Sequence, residues 1–391
     1  MVGERERMVR AVWAATDTNR RLYLVSERYE FIPEVKAYVD YLSTMGKTST
    51  AESYCRHLKH YYTFLDQQGL DWRQVTPNDL VAFIQWLRTP RHRIGVVPLH
   101  APSPLSEQTV NTIVAAVTSF YRYHIIMRGE QVANPVVYEQ VSNRFSRFRS
   151  FLVHAHRGRT TRRVHKLTVA RRRPKTLTDE SFERFVGAIK NPQFLCIVML
   201  MRHGGLRVSE VIGLLIQDID WQRCGVWIRR REGLENGARA KGMVEGEERF
   251  VDLDGVPQVM SLLDALVLQH TFDTDHAFVV RRKNATDQWG NPTYGRPLTR
   301  KAVNDMFVYY SAKVGFTKKT TGFAIHPHML RHTHATELIE AGWDISYVQA
   351  RLGHKSVQTT ANIYVHVSPA SLKRTWQQHQ QERSDGRRTA E

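Results

Sequence analysis

Arg207 and Glu210 stand three residues apart in GLRVSEVIGL, and His328 and Arg331 stand three apart in HPHMLRHTHATEL. At that spacing each pair shares one face of a helix. His354 precedes Tyr364 by ten residues in RLGHKSVQTTANIYVH. Taken singly, each has an ordinary use: an arginine at a helix start is usually an ion-pair partner, and a tyrosine is usually a half-buried core residue. Together they have a chemical logic. Two guanidiniums can clamp the non-bridging oxygens of a pentacoordinate phosphorus, stay charged at any physiological pH, and stand in for Mg²⁺. Imidazoles orient a phosphate or move a proton near neutrality. A tyrosine hydroxyl can attack the phosphorus and keep it as a covalent phosphotyrosine. The departing oxygen then needs an acid, a task for a lysine on a mobile loop.

Two other patterns imitate known sites and fail. Gly46-Lys47-Thr48 looks like the end of a phosphate-binding P-loop, but Tyr41 stands where the first glycine is required, which argues against an ATPase. His326, His328, His332 and His334 crowd together, and His328 and His332 are one helical turn apart, as metal ligands can be. Arg331 lies between them, and a fixed cation disfavours a second one nearby. No HExxH or CxxC pattern supports a metal. Neither a metal nor another cofactor is expected.

The elements that must carry these residues follow from periodicity. From about 31 to 140 the pattern is helical, with about four helices. Tyr54, Leu58, Tyr61, Tyr62 and Leu65 recur at helical spacing, as do Val110, Ile113, Val114, Val117 and Tyr121. These stripes read as core rather than as stacking platforms for bases. Thr76, Pro77 and Asp79 compose a helix start. Arg56, His57, Lys59 and His60 share the other face of the second helix, which either follows phosphates or is simply solvated. From Leu177 the pattern is mixed: helices over 179–190, 194–203, 207–215, 257–269, 299–314, 328–341, 344–352 and roughly 356–364. Strands are expected at 226–231 (VWIRRR), 248–253 (ERFVDL) and 276–282 (HAFVVRR). The fold class is mainly α with a small β-sheet, the later domain being α+β.

Length and charge bound the partners. A chain of 391 residues suits two domains. It carries 56 Lys+Arg against 38 Asp+Glu, a formal +18, which points to a polyanion, either nucleic acid or an anionic membrane surface. No apolar run is long enough to span a membrane, and the N-terminus lacks the apolar stretch of a secretion signal. Cys55, Cys196 and Cys224 are far apart and odd in number, which fits a reducing compartment; a DNA partner would make the expected location cytoplasmic and nucleoid-associated. Residues 143–178 hold twelve Lys and Arg, among them Arg162, Arg163, Arg171, Arg172 and Arg173, and no Asp or Glu. Self-repulsion argues against independent folding of this stretch. Running between two domains that grip one duplex, it would gain from counterion release; the plain alternative is a charged spacer.

The order Arg207, His328-x-x-Arg331, His354, Tyr364, in the phrases GLRVSE, HPHMLRHTHAT, LGHKSVQTT and NIYVH, resembles the phage integrase family of tyrosine recombinases over about residues 177–368. The helices near LSEQTVNTIVAAVTSFYRYH resemble the family's SAM-like core-binding domain. The resemblance implies an N-terminal extension (1–30), a core-binding domain (31–140), a basic linker (141–176), a catalytic domain (177–368) and a C-terminal tail (369–391), the two domains forming a C-shaped clamp on double-stranded DNA. Residue by residue, it implies Arg207 and Arg331 as the phosphate clamp, His328 as the general base, His354 as a hydrogen-bond donor to the phosphate and Tyr364 as the nucleophile. Glu210 would support the arginine from behind or be a helix-surface carboxylate. The family's lysine, in the first hairpin of the catalytic domain, falls on Lys241. Here the sequence departs from the pattern: the stretch from Lys241 to ERFVDL is long and acidic, with Glu245, Glu247 and Glu248 able to pair with the lysine. DNA contacts would include Arg56, Lys59, Arg162, Arg163 and Arg171–Arg173. The family also implies strand exchange without metal or ATP, by a homotetramer or together with partner recombinases. The rivals are a type IB topoisomerase and a DNA-binding relative that has lost catalysis.

Overall fold

The computed structural model describes residues 9–15, 20–89, 105–141, 160–169, 176–240, 243, 246–287 and 290–354. The chain forms two compact units, one up to Arg171 and one from Arg172.

The N-terminal unit is built on apolar helix faces. β1 (Arg10–Ala15) and β2 (Arg20–Val25) form an antiparallel hairpin in the register Arg10↔Val25. Residues 1–30 read from sequence as an extension of uncertain structure, yet this hairpin lies on the helices that follow, with Leu22, Tyr23 and Leu24 in the core. The helices are α1 (Pro33–Thr44), α2 (Thr48–Gln68), α3 (Pro77–Arg88) and α4 (Glu107–Met127). α3 begins as the sequence predicts: Thr76 and Asp79 form a capping box and Pro77 opens the helix. α2 stops at Gly69, whose φ of +65° suits glycine. The two aromatic stripes meet in the core. Tyr61 and Tyr121 are fully buried and share a hydrogen bond of 2.7 Å between their hydroxyls. β3 (Tyr138–Val141) pairs antiparallel with β4 (Thr160–Arg163). The expected basic linker therefore contributes a strand to this unit, and Asn111 of α4 bonds Leu167 through both its amide nitrogen and its oxygen.

The C-terminal unit comprises α5 (Asp179–Gly187), α6 (Pro192–His203), α7 (Val208–Ile212), β5 (Ile219–Asp220), β6 (Gly225–Arg229), β7 (Glu248–Asp252), α8 (Pro257–Leu268), α9 (Arg300–Lys313), α10 (Pro327–Glu340) and α11 (Ile345–Leu352). The sheet order is β5-β6-β7, all antiparallel, with Val226 opposite Val251. α6 is apolar around most of its circumference and packs against α8 and α10, as a central helix must. The helices at 179–352 were legible; the third strand was not where the sequence put it. HAFVVRR is no strand. Its main chain is satisfied piecemeal, Ala277 N–H by the Leu214 carbonyl and Val279 N–H by the Gln193 side chain, so its apolar run packs into the core without a ladder. The actual third strand, β5, is a two-residue pairing too short to show a period. Among the described residues no helix is long and apolar enough to cross a membrane.

Candidate active site

Three elements of the C-terminal unit converge on one carboxylate. Arg207 precedes α7 in extended conformation, and its N–H donates to Glu210 Oε2 at 2.9 Å while Nη1 donates to Oε1 at 2.5 Å. The three-residue spacing read from sequence thus becomes a closed loop at the helix start. Arg249, on β7, donates to Glu210 Oε2 at 2.8 Å. Arg331, on the second turn of α10, brings Nη1 to 3.6 Å from the same oxygen. The Glu210 side chain is 1% exposed, which excludes the reading of a surface carboxylate. Burial raises its carboxyl, but Arg249, Arg331 and Arg207 together hold it below the usual value. Three guanidiniums face one carboxylate, an excess of positive charge in a nearly dry place, which suits an incoming phosphate.

The end of α11 supplies the other wall. Arg249 Nη1 donates to the Arg351 carbonyl at 2.8 Å, Arg331 Nη2 to the Leu352 carbonyl, and Arg207 Nη2 to the Gly353 carbonyl at 3.2 Å. Three successive carbonyls at the negative end of one helix therefore each take a different arginine. Gly353 caps α11 at φ +61°, and a Cβ there would meet Arg249 Nε at 3.0 Å. Gly205, at φ +62°, accepts from Arg331 Nη1 at 2.6 Å, and a Cβ on it would collide with the His334 ring. These two glycines let backbone approach the arginines closely.

The imidazoles surround this cluster. His328 sits one turn before Arg331 on α10, and His354 follows the α11 cap. Burial pushes His354 down to about 4, with Arg331 and Arg207 adding to it. Burial, then His326, Arg331, Arg300 and Arg207, lowers His328. Burial also lowers Arg331, against Glu210, but a guanidinium stays protonated at neutral pH. The histidines are thus neutral near pH 7: a neutral imidazole can accept a proton at one nitrogen and donate a hydrogen bond from the other.

Of the residues anticipated from sequence, Arg207, Glu210, His328, Arg331 and His354 come together. Lys241 and Tyr364 lie outside the described residues, as do Arg171, Arg172 and Arg173. Among the described residues near Lys241 in sequence, Ala238, Ala240 and Met243 are buried in the core, and Asn236 bonds the Ile212 and Leu298 carbonyls. Glu248 pairs with Arg229 at 2.8 Å, the two being cross-strand neighbours. Arg56 and Lys59 lie on α2; Arg56 is exposed and 3.9 Å from Glu52. Arg162 and Arg163 lie on β4, and Arg163 Nη1 reaches the Asn111 carbonyl at 3.4 Å. Sequence reasoning missed Arg249 and the two glycines. Arg249 sits in a strand, where no helical spacing relates it to the other arginines.

The phage integrase family matches residues 175–371, and its N-terminal SAM-like domain matches residues 35–126. The chain is 34% identical over 357 residues to transposase A from transposon Tn554 of Staphylococcus aureus, covering 90% of this chain and 92% of that one. The chain belongs to the phage integrase family of tyrosine recombinases. Tyrosine recombinase XerC of Listeria innocua is 26% identical over 88% of this recombinase and 96% of its own length. The solved Tn1549 transposon integrase in complex with transposon right end DNA shares the fold, with a TM-score of 0.55 at 18% identity, over 88% of this recombinase and 98% of that chain. The recombinase is therefore an enzyme of site-specific recombination, with a SAM-like helical domain and a tyrosine recombinase fold. These relatives favour neither a topoisomerase nor a non-catalytic relative.

Proposed function

We propose that this recombinase cleaves and rejoins double-stranded DNA at specific sites through a 3′-phosphotyrosine on Tyr364, with neither metal nor ATP. The observation that carries this reading is the convergence of Arg207 and Arg331 on buried Glu210, with His328 and His354 in their field. Arg207 and Arg331 hold the two non-bridging oxygens. Neutral His328 takes the Tyr364 proton as the phenol oxygen bonds to phosphorus, and His354 donates a hydrogen bond to the phosphate. The bond from phosphorus to the 5′ oxygen breaks, and Lys241 gives that oxygen its proton. A free 5′ hydroxyl from the partner strand then reverses the step. Glu210 keeps the two arginines oriented from behind.

Residues 31–140 act as the core-binding domain and residues 177–368 as the catalytic domain in this reading. Arg56, Lys59, Arg162, Arg163 and Arg171–Arg173 contact phosphates, and assembly on two sites is as a homotetramer or with partner recombinases. The DNA in the Tn1549 integrase complex and the excess positive charge of this chain support a duplex partner.

The test is a duplex nicked just beyond the cleavage site, so that the released fragment diffuses away and the adduct accumulates. The full chain should form a DNA adduct that maps to Tyr364. Tyr364→Phe should bind the duplex and form none, since only the attacking oxygen is removed. An adduct in that variant would put the nucleophile elsewhere.

A further inference from the structure

The catalytic reading uses two of the three arginines around Glu210; the third has no role in it. Arg249 is as well placed as the others. Its side chain is 11% exposed, one terminal nitrogen meets Glu210 at 2.8 Å and the other meets the Arg351 carbonyl at 2.8 Å. Its Nε is buried without a hydrogen-bond partner among the described residues and lies against Gly353, where even a methyl group would crowd it. An exposed, idle arginine would not show this fixing at both ends.

We propose that Arg249 is a positioning residue for strand cleavage, which ties Glu210 and the last carbonyls of α11 to strand β7 and so holds Arg207, Arg331 and the His354 segment in one geometry. The proposal rests on the catalytic reading above. The reasoning is electrostatic and geometric. Glu210 faces Arg207 from the start of α7, Arg249 from β7 and Arg331 from α10. Without Arg249, the carboxylate is shared by two cations instead of three and draws both clamp arginines harder, away from a phosphate. The Arg351 carbonyl also loses its donor, one residue from the carbonyl that holds Arg331 and two from the one that holds Arg207.

The effect should appear in the chemical step and not in affinity. Arg249→Met keeps much of the bulk and removes the charge; Arg249→Lys keeps the charge but cannot bridge two acceptors with a fork. On the nicked duplex at saturating DNA, wild type must first form the Tyr364 adduct; if it forms none, the catalytic reading fails, not this proposal. With that in hand, Arg249→Met should slow single-turnover cleavage by about 10–100-fold, the range seen when groups that orient a catalytic ligand are removed. Its dissociation constant for the duplex should be unchanged. Arg249→Lys should recover part of the rate. In a Glu210→Gln background, Arg249→Met should cost much less than it does in wild type, because the charge that Arg249 shares is already gone and only the Arg351 carbonyl is left to lose its donor. Wild-type cleavage by Arg249→Met, a defect confined to affinity, or defects that multiply in the double variant would each overturn the proposal. Should Arg249→Met not fold, Arg249→Lys alone and with Glu210→Gln carries the same cycle.

Discussion

At the centre of the N-terminal unit the polar atoms between α2 and α4 are neutral hydroxyls, Tyr61 on Tyr121 and Tyr121 on the Trp72 carbonyl. At the centre of the C-terminal unit they are ions. Glu210 carries three arginines, Asp218 carries Arg229 and Arg231 at 2.9 and 2.6 Å, and Arg202 is clasped by Glu337 and Asp179. A desolvated hydroxyl pair costs little, whereas a buried ion costs much unless every partner is in place. The first unit is thus a scaffold in which shape matters most. The second holds charge ready for an anion that arrives later.

The contrast can be broken most strongly at the apolar end. Phe120 is fully buried among Tyr38, Tyr62 and Trp72. Phe120→Ala should cost about 3–5 kcal/mol of stability, read by denaturant unfolding, while single-turnover cleavage at saturating DNA holds. A chemical-step defect there would mean that the units are not divided in this way. Arg331→Ala should do the reverse in cleavage, slowing it about 10²–10³-fold, as removal of a donor to a developing oxyanion does, with duplex affinity little changed.

Acid sharpens the same comparison. Burial, with nearby arginines, holds His334 down to about 3 and His354 and His203 each down to about 4. The ordinary value of about 6.5 applies in the unfolded chain, so between about 6.5 and 4 the unfolded state binds more protons and stability falls as the pH drops. Unit-resolved hydrogen exchange should show the C-terminal unit opening first on acidification, while α2 and α4 stay protected; the opposite order would contradict this assignment of buried charge. The smallest effect belongs to the basic segment. Neutralising Arg171, Arg172 and Arg173 together should weaken specific and non-specific DNA alike. It should also reduce the slope of log K against log[salt] by up to about 0.9 for each phosphate that an arginine no longer neutralises. An unchanged slope would make the segment a spacer.

The sequence exposed these two regions unequally. Helical spacing placed the aromatic core of the first unit, because one repeated face is all that packing there requires. His328 with Arg331 was legible because a three-residue step on a helix fixes their common face, whereas the same step joins Arg207 to Glu210 differently: Arg207 lies just before α7 in extended conformation and the pair closes the helix start. Arg249 was not legible, because it reaches Glu210 from a strand whose neighbour in sequence says nothing of α7 or α11. HAFVVRR misled for a related reason: an apolar run shows burial, but not whether its main chain finds a ladder or a side chain such as Gln193. The N-terminal hairpin went unread although RAVWAA and RRLYLV each hold an apolar run of strand length, because no turn motif such as Asn-Gly joins them.

In the proposed reaction the buried cluster presents Arg331 to a charged non-bridging oxygen of the scissile phosphate. Replacing one such oxygen with a methyl group removes the charge that the guanidinium neutralises. Wild type and Arg331→Ala should be compared on a normal and a methylphosphonate duplex at the same position. The deficit of Arg331→Ala, about 10²–10³-fold on the normal phosphate, should shrink markedly on the uncharged one. A deficit of the same size on both duplexes would show that Arg331 holds the fold and not the phosphate.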